Sequence, residues 1–181
     1  DVGRIKRSNR AQSDYIRYLA STSFYSCEGL KIALDCANGS ASATAERLFK
    51  MIGASKVSAI NCEPNGVNIN DNCGSTHIEA LQKFVKKNQF DVGFAFDGDA
   101  DRLIAVDENG DVVDGDKIIA VCAKDLKEHG GLKHNTAVVT VMSNMGFFKF
   151  AQENGIECKK TKVGDRYVLE QMLENGYCIG G

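Results

Sequence analysis

Short apolar runs of strand length alternate along this sequence with segments of helical period, and that alternation restricts the fold more than any other feature. The runs are Lys31 to Cys36, Lys56 to Asn61, Asp91 to Phe96, Thr136 to Val141, Glu157 to Thr161 and Tyr177 to Ile179. Between them lie Ser42 to Ile52, with Ala45, Leu48, Phe49 and Ile52 on one face, and a helix opened by Thr76 and Glu79 as a capping box and running to Lys87. Two more helices are predicted at Asn144 to Asn154 and Asp165 to Glu174. Strands joined through helices pair in parallel and need cover on both faces, so the order implies an α/β fold with mostly parallel mixed sheets and helices on both faces. The β-α-β-α-β order occurs twice, which predicts two successive units, residues 1–112 and 113–181, the second incomplete.

Two local signals refine this plan. In Leu103 to Asp114, Asn109-Gly110 separates two alternating runs and predicts an antiparallel hairpin at one edge of the sheet. Asp114 or Asp116 is placed to cap a helix running to His129, and Ser8 or Asn9 to cap a lead-in helix over Ala11 to Ser23. Arg4, Lys6 and Arg7 ahead of it read as a solvated basic lead-in. His77, His129 and His134 show no metal-ligand spacing.

Composition excludes several function classes. The chain has 181 residues, 43% hydrophobic and 25% charged, enough to bury a core, and its net charge of −2 argues against a nucleic-acid partner. No apolar stretch approaches the ~18 residues of a membrane helix, and DVGRIKRSNR lacks the apolar core of a signal peptide, so no membrane partner and a cytoplasmic location are expected. The 7 cysteines are odd in number and contain no CxxC pair, as reduced structural thiols would be. A first residue Asp1 in place of Met, and Gly180-Gly181 directly after an apolar run, predict a segment of a longer protein.

The stretch with most chemistry is Asp97-Gly98-Asp99-Ala100-Asp101-Arg102, between two strands. Extended at ~3.3 Å per residue, its carboxylates would spread over about 13 Å, too far to grip one ion. The chain must bend there, and Gly98 permits the bend. Crowded carboxylates raise one another's pKa unless a cation offsets them. Oxygen ligands without His or Cys favour Mg²⁺ or Ca²⁺ over zinc, and an adjacent Arg suits a phosphate clamped beside the metal. Three other readings stand beside this one. A solvated acidic turn needs no ion. An EF-hand would use Asp97, Asp99 and Asp101 with Glu108, but has Arg102 where it needs Gly. A haloacid-dehalogenase-type nucleophile would read Asp97-x-Asp99 after a strand, without the Thr or Val expected next.

The hexapeptide DGDADR on a strand-loop-strand resembles the metal loop of the α-D-phosphohexomutases. DCANG (35–39), EPNGVNIN (63–70), AFDGDADRLIAVDENGDVVDGD (95–116), TVMSNMGF (140–147) and VGDRYV (163–168) extend the resemblance over nearly the whole chain in the same order. Their wording is similar to the branch of that family acting on glucosamine phosphates. The resemblance implies the second domain and the first part of the third of a four-domain bacterial enzyme. It implies reversible conversion of glucosamine 6-phosphate to glucosamine 1-phosphate through a phosphoserine enzyme and a bis-phosphorylated sugar, toward UDP-N-acetylglucosamine and cell-wall precursors. A phosphomannomutase or phosphoglucomutase of the same family, or a non-catalytic divalent-cation module, are the alternatives.

By the same resemblance Asp97, Asp99 and Asp101 hold one Mg²⁺, whose remaining protein ligand is a phosphoserine oxygen, and Arg102 contacts phosphate. Asp165 and Arg166 form a substrate-side loop at a helix start, where N–H groups favour anions. The competing reading makes Asp165 an N-cap and Arg166 a solvated side chain. The family's Ser-His-Asn-Pro phosphoserine motif, its Glu-x-Ser-Gly-His sugar loop and its C-terminal phosphate-binding domain are absent from the 181 residues. The implied partners are therefore a phosphorylated amino sugar and the remaining N- and C-terminal domains. The segment carries no catalytic residue of its own and is expected to be inactive alone.

Overall fold

The computed structural model describes residues 3–5 and 8–181, so Lys6 and Arg7 lie outside the described residues. The chain divides into two compact units, Asp1–Val112 and Val113–Gly181.

In the first unit α1 (Ala11–Ser21) leads into β1 (Lys31–Asp35), α2 (Ala45–Met51), β2 (Lys56–Ile60), α3 (Glu79–Asn88), β3 (Val92–Phe96), β4 (Leu103–Asp107) and β5 (Val112–Val113). The sheet order is β2-β1-β3-β4-β5. β1 lies between β2 and β3 and is parallel to both, with Lys31 opposite Lys56 and Ile32 opposite Val92, whereas β4 runs antiparallel to β3 with Phe96 opposite Leu103. Alternation along β1 explains its position. Ile32 and Leu34 pack with Ala45, Phe49 and Val57 on one face, and Ala33 packs with Leu81, Val85, Ala95 and Val106 on the other. Burying Leu81 and Val85 completely contributes roughly 1.5–3 kcal/mol each. The chain leaves β1 toward β2 on one side and returns to β3 on the other. The carboxyl ends of β1 and β3 therefore form the switch point at which α/β sheets bind ligands.

The second unit contains α4 (Gly115–Glu128), β6 (Thr136–Thr140), α5 (Met145–Glu153), β7 (Glu157–Thr161) and α6 (Asp165–Asn175). β6 and β7 are parallel. Ala123 of α4 and Phe147 and Ala151 of α5 cover the face of β6 that carries Ala137 and Val139, while α6 packs on β6 with Val168 buried. Asn144 caps α5, its Oδ1 accepting the Phe147 N–H at 2.9 Å, which gives the TVMSNMGF stretch a structural role.

Several local expectations are corrected. Thr76 does not cap α3, because Gly74–Thr76 closes a tight turn in which the His77 N–H donates to the Gly74 carbonyl at 3.0 Å. That turn denies Thr76 the extended backbone of an N-cap; Ile78 takes the position without a side-chain bond. Arg10 rather than Ser8 or Asn9 precedes α1, although the Ser8 hydroxyl accepts the Arg10 N–H at 3.3 Å. Asp114 does cap α4, accepting from Lys117 N at 2.9 Å. In the hairpin only Gly110 is left-handed (φ +84°), and Asp107 Oδ1 binds the N–H groups of Asn109 and Asp111 across a longer turn. Tyr177 to Ile179 forms no strand: Val138 N donates to Ile179 O at 3.1 Å and Gly181 N to Val138 O at 3.0 Å, a single parallel bridge beside β6.

All seven cysteines are free thiols. Burial, with Cys62, Asp35 and Glu46 nearby, pushes the Cys36 thiol up to about 12. Cys36 is therefore expected to resist iodoacetamide at pH 8 in the native chain and to react once the chain is unfolded in guanidinium, as peptide mass mapping would read. Modification of native Cys36 at the rate of exposed Cys122 would contradict this packing.

Candidate metal centre

The loop joining β3 to β4 folds the three aspartates together. Its ends are closed by Asp97 N donating to Arg102 O at 3.4 Å, and its turn by Ala100 N donating to Asp97 O at 3.1 Å. One carboxylate oxygen from each of Asp97, Asp99 and Asp101 then lies within 4.8 Å of the others, against the about 13 Å spread of an extended chain. Asp97 is buried; Asp99 and Asp101 are exposed. The bend is not made as the glycine implied. The left-handed residue is Ala100 (φ +62°), and Gly98 lies close against a neighbouring side chain, a Cβ there coming to 2.6 Å from Ile69 Cδ1.

Asp97 and Arg102 fix one another. Asp97 Oδ1 accepts the Arg102 backbone N–H at 3.1 Å and Oδ2 accepts its Nε–H at 2.9 Å. Burial pushes the Asp97 carboxyl up, but these Arg102 bonds and the guanidinium charge outweigh it and hold it below its ordinary value. Asp101 moves the other way. Desolvation, then the charges of Asp99 and Asp97, raise its carboxyl. Arg102 stands 3.8 Å from Asp101 with its side chain 71% exposed.

This donor set fits a hard divalent cation. It offers only oxygens, and Mg²⁺ ligands at ~2.1 Å sit no more than about 4.2 Å apart, within a small side-chain adjustment of the observed spacing. The EF-hand reading does not survive, because strands flank the loop and Glu108 lies in the turn beyond β4, about 17 Å of strand away.

Asp165 and Arg166 belong to the second unit. Gly164, not Asp165, is the N-cap of α6; the Asp165 carboxylate instead accepts the Arg166 N–H at 2.8 Å. Arg166 Nε donates to Glu170 at 2.7 Å from a side chain 82% exposed.

Two features support the loop: the Asn38-Gly39 turn, which by sequence could be either a plain turn or part of the site's surroundings, and Asp35, which carried no such expectation. The Asn38-Gly39 turn touches the loop directly: Ser40 N donates to Gly98 O at 2.8 Å, and a methyl group on Gly39 would collide with that carbonyl. Asp35, fully buried at the end of β1, binds N–H groups from three segments. A charged residue closing an apolar run was the available signal.

Comparisons with known proteins place the chain in a family. Residues 13–110 match the pattern described as phosphoglucomutase/phosphomannomutase, alpha/beta/alpha domain II, and residues 114–181 that of alpha/beta/alpha domain III. The chain is 58% identical over 181 residues to a phosphoglucosamine mutase of Caldicellulosiruptor saccharolyticus, and 54% identical over 180 residues to one of Clostridium acetobutylicum. Each alignment covers 99% of this chain and 40% of the relative, so the chain spans about two-fifths of the curated relatives it matches. Among solved structures, a phosphoglucomutase/phosphomannomutase family protein from Burkholderia thailandensis superposes with a TM-score of 0.78 at 26% identity, covering 94% of this chain and 37% of that one. An N-acetylglucosamine-phosphate mutase of the alpha-D-phosphohexomutase superfamily shares the fold at 24% identity, with a TM-score of 0.65 over 94% of this chain and 39% of the other. Among the described residues, no helix is long and apolar enough to cross a membrane.

Proposed function

Since the chain belongs to the phosphoglucomutase/phosphomannomutase family, we propose that it is the metal-binding part of a phosphoglucosamine mutase, with residues 1–112 as domain II and 113–181 as an incomplete domain III. The whole protein would interconvert glucosamine 6-phosphate and glucosamine 1-phosphate. The observation that carries the reading is the convergence of Asp97, Asp99 and Asp101 at the switch point of the sheet, beside an exposed arginine.

Phosphoryl transfer asks a protein mostly for position and charge. A Mg²⁺ held by the three aspartates would offset charge on the phosphoryl group and orient it. Arg102 is oriented by Asp97, which takes its Nε–H and leaves the terminal amino groups for phosphate oxygens. Asp99 and Asp101 supply the outward carboxylates of the trio. Asp165 and Arg166, at the start of α6, are the substrate-side pair of the second unit. The phosphoserine and the sugar loop would come from the remaining domains, so the 181 residues alone would be inactive.

A phosphorus NMR assay of the whole protein, with the flanking coding sequence restored, tests this reading. Glucosamine 6-phosphate is expected to convert to the 1-phosphate. Asp99→Asn is expected to reduce the rate on the order of 10²–10³-fold, the usual cost of losing a group that stabilises transferring charge. Faster turnover of mannose or glucose phosphates would move the assignment to a sibling activity. Turnover by the 181 residues that survives Asp99→Asn would overturn it.

A further inference from the structure

Asp35 is fully buried, and its carboxylate is held by amide donors. Oδ1 accepts the Ala37 N–H at 3.0 Å; Oδ2 accepts the Asn61 side-chain N–H and the Gly74 N–H, each at 3.0 Å. These donors belong to the turn after β1, the end of β2 and the end of the long polar loop. A core position needs no charge for packing, and burying one is costly unless it is fully bonded. The carboxylate matters here because its two oxygens accept three bonds at once, which an amide or an alkyl side chain would not do.

The segments that Asp35 ties together are those that hold the metal loop. Gly98 is buried between them. On one side Ser40 N bonds its carbonyl and Gly39 leaves no room for a side chain; on the other, Ile69 and Asn70 lie where a Gly98 Cβ would point. The two walls are linked by Asn70 N donating to Ala37 O at 3.0 Å, and the first is tied to the end of β2 by Asn38 N donating to Asn61 O at 2.6 Å. Gly74, the third anchor, comes so close to Phe96 that a Cβ there would lie 2.5 Å from its carbonyl oxygen, one residue before Asp97.

We propose that Asp35 is a positioning residue for the metal loop: through its bonds to the residue 37, 61 and 74 amides it clamps the two walls that set where Gly98, and hence the flanking Asp97 and Asp99, stand. This inference rests on the metal reading of the aspartate trio. It adds a residue that touches neither ion nor sugar yet governs the affinity of the site.

The test uses the 181-residue chain with Mn²⁺ as probe, followed by the EPR signal of the free ion, at a temperature where circular dichroism shows each variant folded. Asp35→Asn is expected to weaken Mn²⁺ binding at least about 10-fold, the scale seen when groups behind metal ligands are removed. It is also expected to speed amide hydrogen exchange at residues 99–102 more than in the centre of β3. A purely structural role would lower stability while leaving affinity and loop exchange in the folded protein unchanged, and that result overturns the proposal. Should Asp35→Asn not fold, Asn61→Gly removes one donor while tolerating the positive φ at that position. It is expected to weaken Mn²⁺ binding roughly 3-fold, and unaltered affinity overturns the proposal equally. If the unaltered chain binds no Mn²⁺, the metal reading itself fails and the role of Asp35 with it.

Discussion

Asp97→Asn is expected to abolish divalent-cation binding and to destabilise the first unit together. The ion would lose its only buried carboxylate, a cost of at least about 100-fold in affinity, since groups standing merely behind metal ligands already account for 10–100-fold. The fold would lose the charge-assisted bond to Arg102, and the new amide N–H would face the Arg102 Nε–H, donor against donor. That loss is worth about 2 kcal/mol, or roughly 8 °C in Tm for a unit of this size. The acid side follows from the lowered Asp97 carboxyl. Its stabilisation is fully present above the unfolded carboxylate value of ~3.9 and disappears as pH falls through the lower folded-state value. Urea melts should therefore separate the original chain from Asp97→Asn at pH 7 and bring them together toward pH 2. Curves equally spaced at both pH values would show that the Asp97–Arg102 pair is not formed.

Gly39→Ala is expected to be at least as damaging, although it adds only a methyl group. Its Cβ would run into the Gly98 carbonyl, which is backbone and has no rotamer by which to move aside. Relief requires parting the two turns, and with them the bond from Ser40 N to Gly98 O. Overpacking and a lost buried hydrogen bond together amount to about 3–4 kcal/mol, near 15 °C in Tm. Gly115→Ala is the control: nothing lies within 4 Å of a Cβ there, and Ala favours the start of α4. A Gly39→Ala variant that melts with the original chain, as Gly115→Ala should, would show that the two loops do not touch.

What could be read in advance divides along the range of the interaction. β1 was legible because Ile32, Ala33 and Leu34 are all apolar, and a strand buried on both faces shows that in its own residues. The aspartate trio was legible for the same reason, lying within six residues between two recognisable strands. The capping box at Thr76 failed because Gly74 is pinned to Asp35, 39 positions earlier, in a segment that turns before the helix can start. The contact between Gly39 and Gly98 is likewise a meeting of distant turns, and neither glycine has a positive φ to announce it. Gly98 invited a conformational explanation that belonged to Ala100, whereas its own constraint is the Ile69 side chain. Tyr177 to Ile179 had strand-like composition, but composition says nothing of whether a ladder continues beyond one bridge.

The place of β1 between β2 and β3 also bears on the order of events during folding. Its partner β3 lies some sixty residues downstream, with Lys31 N bonded to the Asp91 carboxylate at 2.7 Å where the two strands begin to align. Closing so long a loop is slow compared with forming α2 or α3, and Gly98 has no walls until residues 39–40 and 69–70 are both in place. The aspartates are neighbours along the polypeptide, yet their cage is expected to mature only after those distant segments have met. A nascent chain is thus expected to offer little to a passing cation until the sheet is complete.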